Sequence, residues 1–315
     1  MRKIYLFLTL SFVVTSLFAQ QEEQWSNYMF NRIFYNPGYT GMTDGTCFSL
    51  FNRSQWAGFE GAPVTQNLNA NIPISFIGGG IGLNVINDQI GLMNNLALGL
   101  SYAYHIDLGT GTLSLGARAD LMNRSVGSGG WVAPDGTTGA DDPFIIPPGS
   151  DGVSFDAAFG AYYQTNRFWV GLSAVRLLET STEFSSGQGQ ITEFPGDRTY
   201  FLAGGYNFNV PNTNVIITPT TLIKSNIGKT TFDAGVVATI DNRFWAGGSY
   251  RREDAFTILA GFYITPSLRL GYAYDANVSP LRTENGGSHE LFLSYCFKIE
   301  IPPREKGMYR HPLFL

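Results

Sequence analysis

Histidines, the side chains best suited to acid–base or metal chemistry at neutral pH, are few and widely spaced here. His105, His289 and His311 fall in no recognisable nucleophile or metal-binding motif. His105 ends one predicted strand and His289 begins another, so both resemble interface or lumen residues. We therefore expect no catalytic residue, no metal and no cofactor. The protein is predicted not to be an enzyme, and a membrane hydrolase is disfavoured.

Carboxylates offer a second candidate chemistry, because residues 125–151 are dense in Asp, Gly and Pro and have no hydrophobic period. Oxygen ligands of this kind bind calcium, but their spacing is not that of an EF-hand loop. A solvated surface loop explains the composition equally well, and we prefer that interpretation. The acidic residues of the segment are Asp135, Asp141, Asp142 and Asp151.

The N-terminus has the organisation of a secretory signal peptide over residues 1–19. Arg2 and Lys3 precede an apolar run that ends at Ala19 and a polar stretch. This run falls short of the roughly 20 residues that span a bilayer, so we predict export. Cleavage leaves 18 basic and 25 acidic residues, a net charge of −7. This charge argues against nucleic acid as a partner.

The rest of the chain is poor in charge, at 14%, yet has no long apolar run. From Thr46 onward its residues alternate. Between Leu96 and His105, for example, one face is Leu or Tyr and the other is small or polar. Strands of roughly ten residues with one apolar face are typical of transmembrane barrels. About fourteen such strands are predicted, an even number, starting near Thr46, Pro63, Gly79, Asn94, Gly111, Gly152, Arg167, Arg198, Asn214, Thr231, Asn242, Asp254, Ser267 and Ser288.

The connections between these strands sort by parity. All those after even-numbered strands are short, whereas the long ones, residues 125–151, 177–197 and 276–287, follow odd-numbered strands. Short turns on one side and long loops on the other characterise outer-membrane barrels. The fold class is therefore all-β, an antiparallel transmembrane β-barrel of about 14 strands with periplasmic termini. Outer-membrane lipid is its first partner.

Three features of the predicted barrel suggest specific contacts. Cys47 and Cys296 lie at the same end of the first and last strands, where barrel closure brings them together; a disulfide and two unpaired thiols remain alternatives. The apolar run Phe144, Ile145 and Ile146 either folds into the barrel mouth or meets a partner. The predicted lumen face carries charges of both signs. Mixed signs favour ion pairs that brace the wall, and a selectivity path for solutes is the less favoured alternative. These charged residues are Arg53, Arg118, Asp120, Asp156, Lys224, Asp233, Arg269 and Asp275.

The segment between residues 24 and 66 is aromatic and amide-rich, and only its second half alternates. Its order of residues resembles the opening of the PorP/SprF family of type IX secretion system outer-membrane proteins. Residues 285–291, before the last strand, resemble a second family motif, whereas Gly38 and Cys296 depart from the family pattern. The matches in the first segment are Tyr28, Met29, Tyr35, Asn36, Pro37, Gly38, Tyr39, Thr40, Gly41, Arg53, Gln55, Trp56, Gly58, Gly61, Ala62, Pro63 and Thr65.

This resemblance implies a non-enzymatic component of the type IX secretion system that supports secretion or surface attachment of large cargo such as adhesins, with a place in gliding motility. It implies as partners a secreted surface protein or adhesin and subunits of the translocon or its periplasmic ring. The alternative is an outer-membrane solute channel. The residues expected to bind a partner or to plug the barrel are Tyr35, Asn36, Pro37, Arg53, Gln55, Trp56, Gly61, Pro63, Phe144, Ile145 and Ile146.

The predicted organisation has four parts. A signal peptide covers residues 1–19, and a non-barrel N-terminal segment, a candidate lumen plug, covers residues 20–45. The outer-membrane β-barrel follows at residues 46–298. Residues 299–315 form a periplasmic C-terminal tail, whose basic and aromatic residues either dock to a periplasmic partner or remain frayed.

Overall fold

A computed structural model describes residues 23–127, 149–185, 191–278, 283 and 285–298 of the protein. Three sequence-based predictions lie outside these residues: the signal peptide, the apolar run Phe144 to Ile146, and the C-terminal tail. Asp135, Asp141 and Asp142 also lie outside them. No described helix is long or apolar enough to cross a membrane.

Fourteen antiparallel strands close into a barrel, which confirms the predicted fold class. Strand β1 pairs with the last strand, from Thr46 opposite Phe297 to Ser54 opposite His289. Each strand begins within two residues of its predicted start. The strands are β1 Thr46–Ser54, β2 Val64–Ile74, β3 Gly79–Ile90, β4 Met93–Asp107, β5 Gly111–Val126, β6 Asp151–Thr165, β7 Phe168–Val175, β8 Thr199–Tyr206 (continued by Phe208–Asn209), β9 Val215–Ser225, β10 Thr230–Ile240, β11 Phe244–Arg251, β12 Ala255–Thr265, β13 Leu268–Asn277 and β14 Ser288–Phe297.

The alternation of side chains along each strand separates a lipid face from a lumen face. In β1, Phe48 and Leu50 are exposed, whereas Phe51 and Arg53 are buried. A strand shifted by one residue from this pattern would place arginine in lipid, which is costly near the bilayer centre. The apolar face therefore fixes which residues reach the interior.

Two prolines that were expected to interrupt the sheet lie within strands. Pro73 pairs with Gly80 of β3, beyond the point where the ladder between β1 and β2 ends at Asn71. Pro219 pairs with Val236 of β10, at the break between the two parts of β8. Each proline thus lies where one neighbouring ladder is absent, so its missing N–H is not needed.

The connections confirm the predicted asymmetry. Those after even-numbered strands have two to five residues, and four of the others have 9 to 24. We call the two ends of the barrel the turn end and the loop end. In outer-membrane barrels the turn end faces the periplasm, and both Thr46 and Phe297 lie there.

The long connection after β7, predicted only as a long loop, contains a hairpin of two short strands, Thr182–Ser185 and Ile191–Phe194. Thr182 is buried and its hydroxyl lies 3.0 Å from that of Ser154 in β6. The guanidinium of Arg124 lies over the Phe194 ring at 4.4 Å. The hairpin therefore packs against the wall at the loop end.

Candidate functional site

Residues 25–42, which we call the inner segment, lie inside the barrel. They include one helical turn, Arg32–Tyr35, and a 3-10 turn, Pro37–Tyr39. The Asn36 side chain caps the second turn by accepting a hydrogen bond from the Gly38 N–H at 2.8 Å. Backbone hydrogen bonds within the segment form these turns, and several of its polar groups bond to the barrel wall.

Amide and hydroxyl side chains of the inner segment bind strands on opposite sides of the lumen. The Asn31 amide donates to Asn67 of β2 at 3.1 Å, and the Asn36 amide donates to the Ala161 carbonyl of β6 at 3.1 Å. The Tyr28 hydroxyl lies 2.9 Å from that of Thr220 in β9. Burial raises the pKa of the Tyr28 phenol, against a smaller opposing effect of the Thr220 hydrogen bond, so the phenol stays neutral.

Aromatic rings fill much of the space between the inner segment and the wall. Phe30 stacks on Phe292 of β14 with ring centroids 5.2 Å apart, and Tyr35 stacks on Phe201 of β8 at 5.7 Å. Trp25 meets Phe51 of β1 edge-on at 5.7 Å. Buried aromatic pairs of this kind add about 0.5–1.5 kcal/mol each beyond the area they bury. The inner segment is thus part of the main apolar core.

A group of five buried charged residues, which we call the wall cluster, holds the beginning of the inner segment. Arg53 donates to Asp275 at 2.7 Å and to Glu290 at 3.3 Å. Arg251 donates to Asp233 at 2.8 Å and to Asp275 at 3.4 Å. These residues come from β1, β10, β11, β13 and β14, so the cluster ties together the seam of the barrel and strands on both sides of it.

Glu290 and Asp275 of the wall cluster also bind the chain of the inner segment directly. Glu290 accepts hydrogen bonds from the backbone N–H groups of Ser26 at 2.7 Å and Asn27 at 2.9 Å. The Ser26 hydroxyl donates to Asp275 at 2.7 Å. Charge-assisted bonds such as these are roughly twice as strong as neutral ones. Because two of them use backbone groups, sequence patterns could not reveal this contact.

Four of the eight predicted lumen charges pair with each other, Arg53 with Asp275 and Arg118 with Asp120, and these pairs brace the wall. Besides the wall cluster, Arg118 of β5 donates to Asp120 at 2.8 Å and to the Phe34 carbonyl of the inner segment at 2.7 Å. Arg251 and Glu290 were missing from the sequence prediction. Arg251 ends its strand inside a charged run, and Glu290 lies in a segment that was noted only for its motif.

The motif residues fall in three places. Tyr35, Asn36 and Pro37 belong to the inner segment and Arg53 to the wall cluster. The others lie in the connection after β1, at the loop end: Gln55, Trp56, Gly61 and Pro63.

The loop-end connection after β1 contacts the second motif. The Ala57 N–H donates to the Gly287 carbonyl at 2.7 Å, and the Gly286 N–H donates to the Ala57 carbonyl at 2.8 Å. The Trp56 N–H donates to the Ser288 hydroxyl at 3.2 Å. Two stretches separated by more than two hundred residues in the sequence therefore form one surface, on which Trp56 is partly exposed.

Neither described histidine is placed for catalysis by a partner base or nucleophile. His105 lies 2.9 Å from the Thr40 carbonyl of the inner segment, and His289 lies 2.6 Å from the Tyr272 hydroxyl. His311 lies outside the described residues. Within those residues, no three His, Cys, Asp or Glu side chains are grouped so as to hold a metal ion.

Gly116 of β5 lies directly against the backbone of the inner segment. A Cβ at this position would collide with the backbone carbonyl of Pro37 and lie 2.7 Å from the Gly38 nitrogen. We expect Gly116→Ala to lower the free energy of unfolding by about 1–3 kcal/mol, because overpacking displaces the backbone. Urea unfolding in lipid vesicles measures the change. Gly204→Ala is the matched control, since no atom lies closer than 3.4 Å to its added Cβ; equal losses for both variants would contradict the prediction.

Cys47 and Cys296 are directly opposed at the seam between β1 and β14, and their sulfur atoms are bonded in the structure. Formation of this bond in the cell stays a prediction. Comparing the mass of the alkylated protein with and without prior reduction tests it.

Replacing both cysteines by serine should lower the free energy of unfolding by about 2–4 kcal/mol, because the bond restricts the unfolded chain. The hydrogen-bonded seam pair Ser49 and Ser294 provides the control. Replacing both serines by alanine should be nearly neutral, and a similar loss in the two double variants would contradict the role of the bond.

Comparison with known proteins gives one family match. A family model described as type IX secretion system membrane protein PorP/SprF matches residues 17–295. No curated protein matches the sequence significantly. Among solved structures, Omp33 of Acinetobacter baumannii is 10% identical with a TM-score of 0.47, over 82% of this chain and 100% of that one. The toluene transporter TodX of P. putida is 11% identical with a TM-score of 0.46, over 84% of this chain and 93% of that one.

Proposed function

Because this chain belongs to the PorP/SprF family of type IX secretion system membrane proteins, we propose that it is a non-enzymatic component that supports secretion or surface attachment of large cargo such as adhesins. The protein is an outer-membrane β-barrel. Its partners in this proposal are a secreted surface protein on the cell surface and subunits of the secretion machinery on the periplasmic side.

The observation that carries the proposal is the occupation of the lumen by the inner segment. Hydrogen bonds and ring contacts join residues 25–42 to strands all around the barrel, including β2, β6, β8, β9 and β14. A solute channel needs a continuous aqueous path, and this segment lies across it. We infer that the inner segment is a plug and that the protein acts through its two ends.

The loop-end surface around Trp56 is the proposed contact for cargo. Tryptophan is among the residues most often responsible for binding energy at protein interfaces. Trp56 has an uncommon positive φ of 50°, and its connection is held against residues 285–288 by the hydrogen bonds described above. The ring is therefore carried on a fixed backbone, which lowers the entropic cost of binding.

Affinity purification from outer membranes tests the proposal. The tagged protein is extracted in mild detergent and its companions are identified by mass spectrometry. We expect a large surface adhesin or secretion-machinery subunits in stable proportion to the barrel. A protein that is recovered alone and conducts ions in a planar bilayer would contradict the proposal and support the solute channel.

The same purification tests the contact at Trp56. Trp56→Ala should reduce the recovered cargo by about tenfold, the effect of losing one interface residue worth ~1.4 kcal/mol. Phe59→Ala is the matched control, because Phe59 lies in the same connection, is 47% exposed and matches no family motif. Equal recovery with both variants would remove Trp56 from the binding surface.

A further inference from the structure

A cavity of about 520 Å³ opens at the turn end of the barrel. The inner segment forms one side of it, and the remaining walls come from the start of β1, the ends of β6, β12 and β14, and the turn before β13. Its volume lies in the range of pockets that bind small ligands or short peptide segments. The residues that matter below are Arg32, Tyr39, Gln164, Tyr263, Arg269 and Lys298.

The cavity is basic in a protein that is acidic as a whole. Its lining contains the three cationic side chains Arg32, Arg269 and Lys298, and Asp44 is the one carboxylate among the lining residues. Asp44 is exposed at the rim. The net charge of the chain is −5, so this concentration of positive charge is local.

Three lumen arginines form ion pairs of a kind that, within the described part of the chain, the guanidinium groups of Arg32 and Arg269 do not form. Arg53, Arg118 and Arg251 each contact a carboxylate within 2.8 Å. Among the described residues, Arg32 and Arg269 contact none.

Their own contacts hold these two arginines in place without neutralising them. Arg32 donates to the Tyr162 hydroxyl at 2.8 Å and to the Met29 carbonyl at 2.9 Å, and it lies over the Trp169 ring at 4.0 Å. Arg269 lies over the Phe30 ring at 5.3 Å. Positioned guanidinium groups with free charge are well suited to a planar anion such as a carboxylate.

Two buried polar atoms of the lining residues also lack hydrogen-bond partners within the described part of the chain. The Arg269 Nε atom is a donor and the Gln164 Oε1 atom is an acceptor. Polar groups without partners favour a polar occupant over an apolar one. A peptide carries both carboxylates and N–H groups, so it can pair with donors and acceptors of this lining.

We propose that this cavity binds an acidic peptide segment of a periplasmic secretion partner, with a carboxylate at Arg32 and Arg269 and apolar side chains against Tyr39 and Tyr263. The identity of the partner rests on the proposed function, whereas the binding of an acidic peptide does not. The turn end faces the periplasm, so a partner in that compartment reaches the cavity without crossing the barrel.

Fluorescence anisotropy with the full chain in detergent tests the proposal. The probe is a fluorescein-labelled hexapeptide of alternating Glu and Phe, and its counterpart of alternating Gln and Phe is the peptide control. We expect the Glu peptide to bind at least tenfold more tightly than the Gln peptide, with an affinity that falls as salt rises. Arg269→Gln should weaken binding of the Glu peptide about tenfold, since it removes a charged hydrogen-bonding partner.

Arg252→Gln is the matched control variant, because Arg252 is exposed at the opposite end of the barrel and pairs only with Glu253 among the described residues. It should bind the Glu peptide as tightly as the unaltered chain. Equal binding of both peptides, no effect of Arg269→Gln in a folded barrel, or displacement by equimolar inorganic phosphate would each overturn the proposal. Peptide binding by a protein that is recovered alone from membranes would support the site and contradict only the secretion role.

Discussion

Arg251→Met is expected to lower the free energy of unfolding by about 3–5 kcal/mol, the usual loss when one partner of a buried ion pair is removed. The Arg251 side chain is only 2% exposed and contacts carboxylates of Asp233, Asp254 and Asp275. Methionine preserves much of the volume but leaves Asp233 buried without its ion-pair partner. Asp275 then retains only Arg53 as an ion-pair partner within the wall cluster. Urea unfolding in lipid vesicles, followed by tryptophan fluorescence, measures the loss.

The next residue in the chain provides a close control. Arg252 is 69% exposed and pairs with Glu253 at 3.1 Å. Exposed ion pairs contribute about 0–1 kcal/mol, so Arg252→Met should leave the unfolding midpoint almost unchanged. Similar losses for the two variants would show that the wall cluster does not hold the barrel together.

Replacing residues 25–42 by a Gly/Ser chain of equal length is expected to convert a non-conducting protein into an ion-conducting pore. The replacement removes the aromatic rings and amide side chains that now fill the lumen, and leaves a wall lined by polar residues such as Asn67, Asn69 and Ser101. Single-channel recording in planar bilayers should show stepwise currents for the variant and none for the intact chain.

Replacing residues 226–229, an exposed connection between β9 and β10, by Gly/Ser controls for general damage to the barrel and should yield no currents. The intact chain is compared directly with both variants in the same bilayers. Currents from the intact chain as large as those from the lumen variant would show that the inner segment does not block the lumen. The solute channel would then be the better account of this protein.

The strands could be predicted because each must keep one apolar face toward lipid and one polar face toward the lumen. That requirement produces a period of two in the sequence. The period was sufficient to predict even β2 and β9, which contain prolines. The lengths of the connections, short after even-numbered strands and long only after odd-numbered ones, then distinguished the turn end from the loop end. Strand closure then placed Cys47 opposite Cys296.

The interior could not be predicted to the same degree, because its contacts depend on register and on backbone groups. Arg53 was recognised as a lumen residue, but its partners Asp275 and Glu290 become neighbours only through the pairing of β13, β14 and β1. Glu290 accepts its hydrogen bonds from the backbone N–H groups of Ser26 and Asn27. Because almost every residue type has such a group, the sequence does not predict these bonds. The hairpin after β7 was missed because its strands are only four residues long, shorter than any periodic signal.

The seam between β1 and β14 has a consequence for how material leaves the barrel. In a barrel held only by hydrogen bonds, the first and last strands can part and open a lateral gate into the membrane. Here the Cys47–Cys296 bond, when formed, joins β1 covalently to β14 at the turn end. The hydrogen bond from Arg53 to Glu290 joins the same two strands nearer the loop end. While the Cys47–Cys296 bond is formed, sideways release through the seam is barred, and the cargo proposed above is then held outside the barrel wall or at one of its two mouths.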